Sequence, residues 1–397
     1  MNILTKYRVE LFSFVLALFM SLSGVLIGNC PYPFWDKIEW LCIAENLVRD
    51  TFGRSMNNGD AYFVNVGFDK QLVDVPLTST DSGRSVITDR KVLLDFLTIA
   101  ERADYKYIML DVRFEKGYNT EFDEALYSKI AKMRDVVCAN HAIDFEIADS
   151  QLIPKSAYND YYTTIFSSNF TRYQYLQGDC PSIALRMYQD LDGKTIMRKG
   201  LFYFNDGTLC ENCPFLPIKG AVEVQSGDGS AADYYNLGPF LMTLPESQLI
   251  EDMKDKIVVI GDFKDDVHDT YMGMLPGPYL TFIAYQYLAQ GGNKVSIVAL
   301  VLMTILFYFI VWTKLEGGLW LPCVRKLLQQ RWMGWLQWLL NWRVVKFMGR
   351  FVSYSVLLWL VCIVVYLVCR TTFNVVFPAL VISIISAFKD SKEEDLI

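Results

Sequence analysis

The sequence predicts an α/β protein: an external domain on a Rossmann-like, mostly parallel sheet, interrupted by an inserted α+β segment and held by four transmembrane helices. Three observations carry this. Short β-branched runs ending at acidic residues alternate with helical stretches, as in sheets whose parallel strands are joined by helices. Four apolar windows, Val9–Gly28, Val295–Thr313, Phe351–Cys369 and Thr372–Phe388, approach the ~20 residues that a bilayer core requires. Basic residues crowd one side of these windows. The 52% hydrophobic content of the 397 residues is thus shared between an ordinary soluble middle and two apolar ends.

Taken in order, Lys6 and Arg8 precede the first window, which reads as an uncleaved anchor (residues 1–28). A signal peptide is the alternative. Ile27-Gly28-Asn29-Cys30 invites comparison with a lipoprotein cleavage site, but Asn29 stands where a small residue belongs. Trp35 and Trp40 suit the outer membrane interface. Ala61–Asp69 reads as a strand ending at an acid, followed by a polar loop to Gly83. Thr88 is the expected cap of a helix burying Val92, Leu93, Phe96, Leu97 and Ala100. Tyr107–Asp111 is the next buried strand. Helix Glu121–Met133 is expected to turn Phe122, Ala125, Leu126 and Ile130 inward, before a short strand at Val136–Ala139.

Residues 141–250 read as extra sequence that interrupts the strand pattern. Tyr158–Tyr175 is crowded with aromatics, read as packing of this subdomain rather than an aromatic ligand cleft. Pro181–Leu191 reads as a helix, Leu201–Phe204 as a strand and Asn205-Asp206-Gly207 as a turn. Cys210-Glu211-Asn212-Cys213 has redox-motif spacing without a following helix, so a structural pair or two free thiols is the favoured reading. Gly220–Asp233 reads as a mobile loop, and Pro239–Glu251 leads back to the sheet.

The stretch around which the chain is organised is Lys256–Lys294. Ile257–Ile260 is a buried strand ending in Gly261-Asp262; a polar loop carries Asp265, Asp266, His268 and Asp269. A helix over 278–290 follows, with Ile283, Ala284, Tyr287 and Leu288 on one face, then Gly291-Gly292, read as a hinge to the second span. The external domain is therefore 29–293, and three spans occupy 294–388. Between the second and third spans, Lys314–Arg350 carries seven basic residues against Glu316, placing this loop and both termini in the cytoplasm and the domain outside. Trp332, Trp335, Trp338 and Trp342 fall on one face of an interfacial helix there, with a partner-docking role open. The tail is 389–397.

Asp69, Asp111 and Asp262 are expected at the carboxyl ends of strands, the edge where such sheets place their sites. Asp111, Asp262, Asp266, His268 and Asp269 could hold Mg²⁺, Ca²⁺ or Mn²⁺, or the same carboxylates could cap helices and pair with Arg90 and Arg113. The structural reading is favoured, and no cofactor is expected. The chain has two histidines, His141 and His268, and no nucleophile elbow, phosphate loop or dinucleotide fingerprint, so no enzymatic activity is expected. A net charge of −7 argues against nucleic acid, and spans nearly free of ionisable groups argue against transport.

Asn65-Val66-Gly67-Phe68-Asp69, Ile87–Lys91, Tyr107–Phe114 and the order IVVIGDF, DVHDTYMG, PGPYLTFIAYQYL, with one span before and three after, resemble the second class of CHASE domains. These are sensory domains associated with cyclases and histidine kinases. The resemblance implies a periplasmic sensor in a bacterial inner membrane, with Asp69, Arg90, Asp111, Gly261, Asp262, Asp269 and Gly277 on typical positions. Family members usually continue into an output domain; here Lys389–Ile397 follows the last span, so the expected partners are the bilayer, an unknown periplasmic ligand and a separate output protein.

Overall fold

The computed structural model describes residues 3–29, 60–76, 82–140, 147–160, 170–218, 234–270, 273–316, 343–369, 371 and 373–394. Helix α1 (Ile3–Gly28) precedes β1 (Ala61–Asn65), and a hairpin of β2 (Lys70–Pro76) and β3 (Ser82–Thr88) follows. Then come α2 (Arg90–Ala100), β4 (Tyr107–Asp111), α3 (Asp123–Lys132) and β5 (Val136–Asn140). The inserted segment holds β6 (Ser156–Tyr158), β7 (Leu176–Gln177), β8 (Cys180–Pro181), α4 (Ile183–Asp192), β9 (Ile196–Lys199), β10 (Phe202–Asn205) and β11 (Thr208–Cys210). The chain returns through β12 (Tyr234–Asn236), α5 (Leu237–Thr243) and α6 (Glu246–Met253) to β13 (Ile257–Gly261). A second hairpin, β14 (Val267–Thr270) and β15 (Gly273–Pro276), leads into α7 (Gly277–Ala289), and α8 (Ile297–Glu316), α9 (Arg343–Cys369) and α10 (Val376–Glu394) end the described chain.

Six strands form one sheet in the order β12-β1-β13-β4-β5-β6, every pair parallel. β13 is last in the sequence yet central in the sheet, inserted between β1 and β4 with Ile257 opposite both Ala61 and Tyr107. All five of its residues are buried, because helices cover both faces, and this is why its run is continuously apolar. On one face α2, α3, α5 and α6 enclose Leu93, Phe96, Leu97, Leu126, Ile130, Val258 and Ile260. On the other, α4 and α7 close over Phe63, Met109, Val259 and Tyr175.

Local chemistry sets the element ends. Thr88 is the last residue of β3, and the cap of α2 is instead Asp89, whose side chain accepts from the amides of Lys91 and Val92. α3 begins later than expected; Ala125 is exposed, and Tyr127 takes the buried position beside Leu126 and Ile130. α7 is buried on nearly every side, from Gly277 to Tyr285 and again at Tyr287 and Leu288, so no single apolar face defines it. Phe282 is fully buried and meets Phe63 edge-to-face at 5.5 Å. Truncating it to alanine is expected to cost about 3–5 kcal/mol.

Three helical stretches, Tyr7–Ile27, Ile297–Leu315 and Val345–Cys369, are long and apolar enough to cross a membrane. The fourth expected span falls in α10, whose apolar part, Val376–Phe388, is shorter. Its start is fixed by Asn374, whose Oδ1 accepts from the Phe377 amide. α1 and α8 pack lengthwise, and Thr304 donates to Ser21 Oγ at 3.0 Å between them. Of the Trp-rich helix expected over 327–348, residues 343–348 form the start of α9; residues 327–342, His141, Trp35 and Trp40, and the loop at 220–233 lie outside the described residues.

Candidate functional site

The carboxyl edge of the sheet opens into a cleft of about 510 Å³. Its floor is organised by Asn65, a fully buried amide at the end of β1. Its Oδ1 accepts from the amides of Gly67 (2.8 Å) and Phe263 (3.0 Å), and its Nδ2 donates to Asn236 Oδ1 at 2.7 Å. One side chain thus joins the turns after β1 and β13 to the end of β12.

Asp262 follows β13 and folds its loop. Its Oδ1 accepts from the Lys264 and Asp265 amides at 2.9 and 2.8 Å, and its Oδ2 from Lys70 at the base of the β2–β3 hairpin. Burial pushes the Asp262 carboxyl up, but the Asp265 amide, Lys70 and the Lys264 amide outweigh it and hold it below the usual carboxylate range. Asp111 ends β4; its Oδ1 accepts from Asn159 Nδ2 at 2.7 Å, and Asn159 Oδ1 accepts from Thr281 in α7 at 3.1 Å. The sheet edge is therefore wired to α7 through two side chains.

On the opposite wall, His268 Nε2 lies 3.1 Å from Asp266 Oδ1, and its ring stacks on Phe170 at 6.4 Å. A side chain on Gly277 would run into both Asp266 and His268, so glycine at the start of α7 is a packing requirement of this pair. Arg113 and Glu115 close the far end, 3.6 Å apart.

Of the remaining expected residues, Asp69 and Asp269 lie outside the cleft lining and Arg90 is part of it. Asp69 is not at a strand end: β1 stops at Asn65, and the carboxylate of Asp69 accepts from the Gly238 amide at 3.1 Å, pinning the start of α5. Burial pushes this carboxyl up, the Gly238 amide pulls it down, Asp89 adds to the rise and Lys70 opposes it; the net direction is upward. Arg90 contributes to the wall as a buried structural cation. Its Nη2 donates to Arg113 O at 2.8 Å, its Nε lies 3.7 Å from Asp123, and its guanidinium covers the Phe114 ring at 4.6 Å. Asp269 is exposed and takes part through its backbone, accepting from the Phe170 amide at 2.6 Å.

Gly291 and Gly292 lie at the far end of α7. Gly291 adopts φ +72°, and Gly292 sits against the Tyr287 ring with no room for a side chain. The junction is not loose. Asn293 O accepts from the Glu211 amide at 2.8 Å, Asn293 Nδ2 donates to Glu211 O at 3.2 Å, and the Val295 amide donates to Leu209 O at 2.9 Å. Cys210 and Cys213, beside it, are buried and unbridged.

Sequence reasoning missed Asn65, Lys70, Asn159 and Phe170. A polar residue at the end of a run as apolar as AYFVN is a signal for Asn65; the other three come from segments whose approach only the fold reveals. Among the described residues, no three His, Cys, Asp or Glu side chains are grouped to hold a metal ion. The arrangement is a polar, hydrogen-bonded cleft with aromatic walls, suited to holding a small polar molecule. No protein-family model matches the chain, and neither a curated protein nor a solved structure shows significant similarity to it.

Proposed function

We propose that the chain is a membrane-anchored sensor: a small polar ligand enters the cleft at the carboxyl edge of the sheet, and its binding is relayed through the spans to a separate output protein. The observation that carries this reading is that α7 both walls the cleft, through Gly277 and Thr281, and leads by residues 290–296 into α8, a helix able to cross a membrane. The order of motifs resembling second-class CHASE domains supports the same reading. On it, the domain faces the periplasm of a bacterial inner membrane, both termini are cytoplasmic, and α10 completes four spans.

The ligand would meet Asp111 and the Lys70–Asp262 pair on one side and His268 with Phe170 on the other. The test is thermal unfolding of the full chain in nanodiscs against a panel of amino acids, organic acids, nucleosides and sugars. A ligand at a hundred times its Kd stabilises the folded state by about 2.7 kcal/mol. At least one compound should raise Tm in the wild type and fail to do so in Asp111→Asn. No shift from any compound, with pull-down from native membranes returning envelope-complex subunits alone, would replace the sensor with a structural or assembly subunit.

A further inference from the structure

We infer that the cleft communicates with the spans along a two-stranded rail, Phe170–Leu176 against Cys210–Leu216, rather than by a glycine hinge. This rests on the sensory reading for its purpose, but not for its geometry. The two segments run antiparallel in one register. The Leu216 amide donates to Thr171 O at 3.0 Å, the Tyr173 amide to Pro214 O at 3.4 Å and the Tyr175 amide to Asn212 O at 2.9 Å, with Arg172 opposite Phe215. Asn212 closes the last rung with its side chain: Oδ1 accepts from the Leu176 amide at 2.8 Å, and Nδ2 donates to Leu176 O at 2.7 Å. Arg172 adds a bond from Nη1 to Cys213 O at 2.8 Å.

One end of the rail is cleft wall. Phe170 is hydrogen-bonded to Asp269 through its amide and stacked on His268 through its ring, and Tyr173 lines the cavity. The other end meets the ends of two apolar helices. Asn29, directly after α1, accepts from the amides of Asn212 (2.7 Å) and Cys213 (3.4 Å). The chain entering α8 is bonded to Glu211 and Leu209. Nearer the cleft, Phe215, opposite Arg172, meets Tyr366 of α9 edge-to-face at 5.9 Å. An extended segment of seven residues reaches roughly 20 Å, enough to carry a displacement from the cleft to the membrane face. Because both α1 and α8 are bonded to the same few residues, a shift of the rail moves them together. A hinge at Gly291-Gly292 would move α8 alone.

Hydrogen exchange on the full chain in nanodiscs, with no ligand added, tests this. His268→Gln removes the ring that Phe170 stacks on, and Asn212→Ala removes the last rung. Each should speed exchange of peptides covering 171–176, 209–216 and 293–296 by about tenfold, while 107–111 and 257–261 stay protected. Faster exchange in His268→Gln confined to 264–277, with 209–216 unchanged, overturns the rail. Asn212→Ala guards against a purely local effect at the cleft: if it loosens 209–216 without reaching residues 171–176 or 293–296, the rail is likewise overturned. Ligand screening that fails while this coupling holds would remove the sensory reading and leave the rail standing.

Discussion

Lys70 donates to Asp262 across the mouth of the cleft, tying the first residue of β2 to the residue after β13. Lys70 keeps 30% of its side-chain surface exposed and Asp262 16%, so the pair is neither fully screened nor fully desolvated. Its effect on stability follows from the lowered pKa of Asp262. A depressed carboxylate stabilises the fold above its unfolded pKa, and that stabilisation is lost as pH falls through the folded value. Lys70→Met should therefore lower Tm near neutral pH, by an amount matching about 1 kcal/mol, and the gap between variant and wild type should shrink below about pH 4. Thermal unfolding of the full chain from pH 3 to 7 checks the prediction; a constant gap would contradict it.

Asp69 should behave with the opposite sign. Its carboxyl is pushed up in the fold, chiefly by burial, so its ionised form is a liability above the ordinary carboxylate range that disappears as the group protonates. Asp69→Asn keeps an oxygen for the Gly238 amide and removes the charge beside Asp89. It should raise Tm at pH 7 by about 1–3 °C, with no gain at pH 4. A loss of stability at pH 7 would show that the carboxylate itself holds α5.

Arg90 is the buried cation on which this side of the cleft depends. Burial lowers its pKa, while Tyr127, Asp123 and Glu115 support the charge. Arg90→Met retains much of the volume over Phe114 but removes the cation beside Asp123 and the donor to the Arg113 carbonyl, leaving the Asp123 carboxylate with the Thr120 hydrogen bonds to offset its burial. The expected loss is about 3–5 kcal/mol in denaturant unfolding. Arg90→Met with Asp123→Asn should recover part of it, since the carboxylate left without its cation goes too.

The parts of this architecture legible in the sequence are those where one physical demand acts on every residue. Strands β1, β4 and β13 are covered on both faces, which forces continuous apolar runs, and the Asp206-Gly207 turn needs two positive φ angles (+50° and +75°) that Asp-Gly supplies. The β2–β3 hairpin was hidden, because Lys70–Pro76 and Ser82–Thr88 bury little and alternate weakly; Leu72 and Val86 face each other in the exposed part of it. β12 and β6 are three-residue strands whose pairing depends on distant partners. In the site, Asp111 and Asp262 were readable as strand-end acids. Asp69 was not, because the turn at Val66–Asp69, closed by the Asp69 amide on Val66 O, carries it off the edge.

The glycine pair after α7 separates a turn from a hinge. Gly291 needs its left-handed conformation, where an alanine is strained by about 1–2 kcal/mol, and Gly292 has the Tyr287 ring where a Cβ would stand. If these residues served only as a flexible link, Gly292→Ala would leave the neighbouring contacts intact and change stability by a few tenths of a kcal/mol. In the packed junction it must displace Tyr287, and with it the connection from α7 to Asn293 and β11. Gly292→Ala should therefore lower Tm by several degrees and expose the Glu211 and Val295 amides to exchange. Tyr287→Ala introduced beside it should restore space and recover part of the loss, because the two changes act on one contact. Failure of that rescue, with the single variant still destabilised, would place the strain in the backbone at residue 292 rather than in its packing on Tyr287.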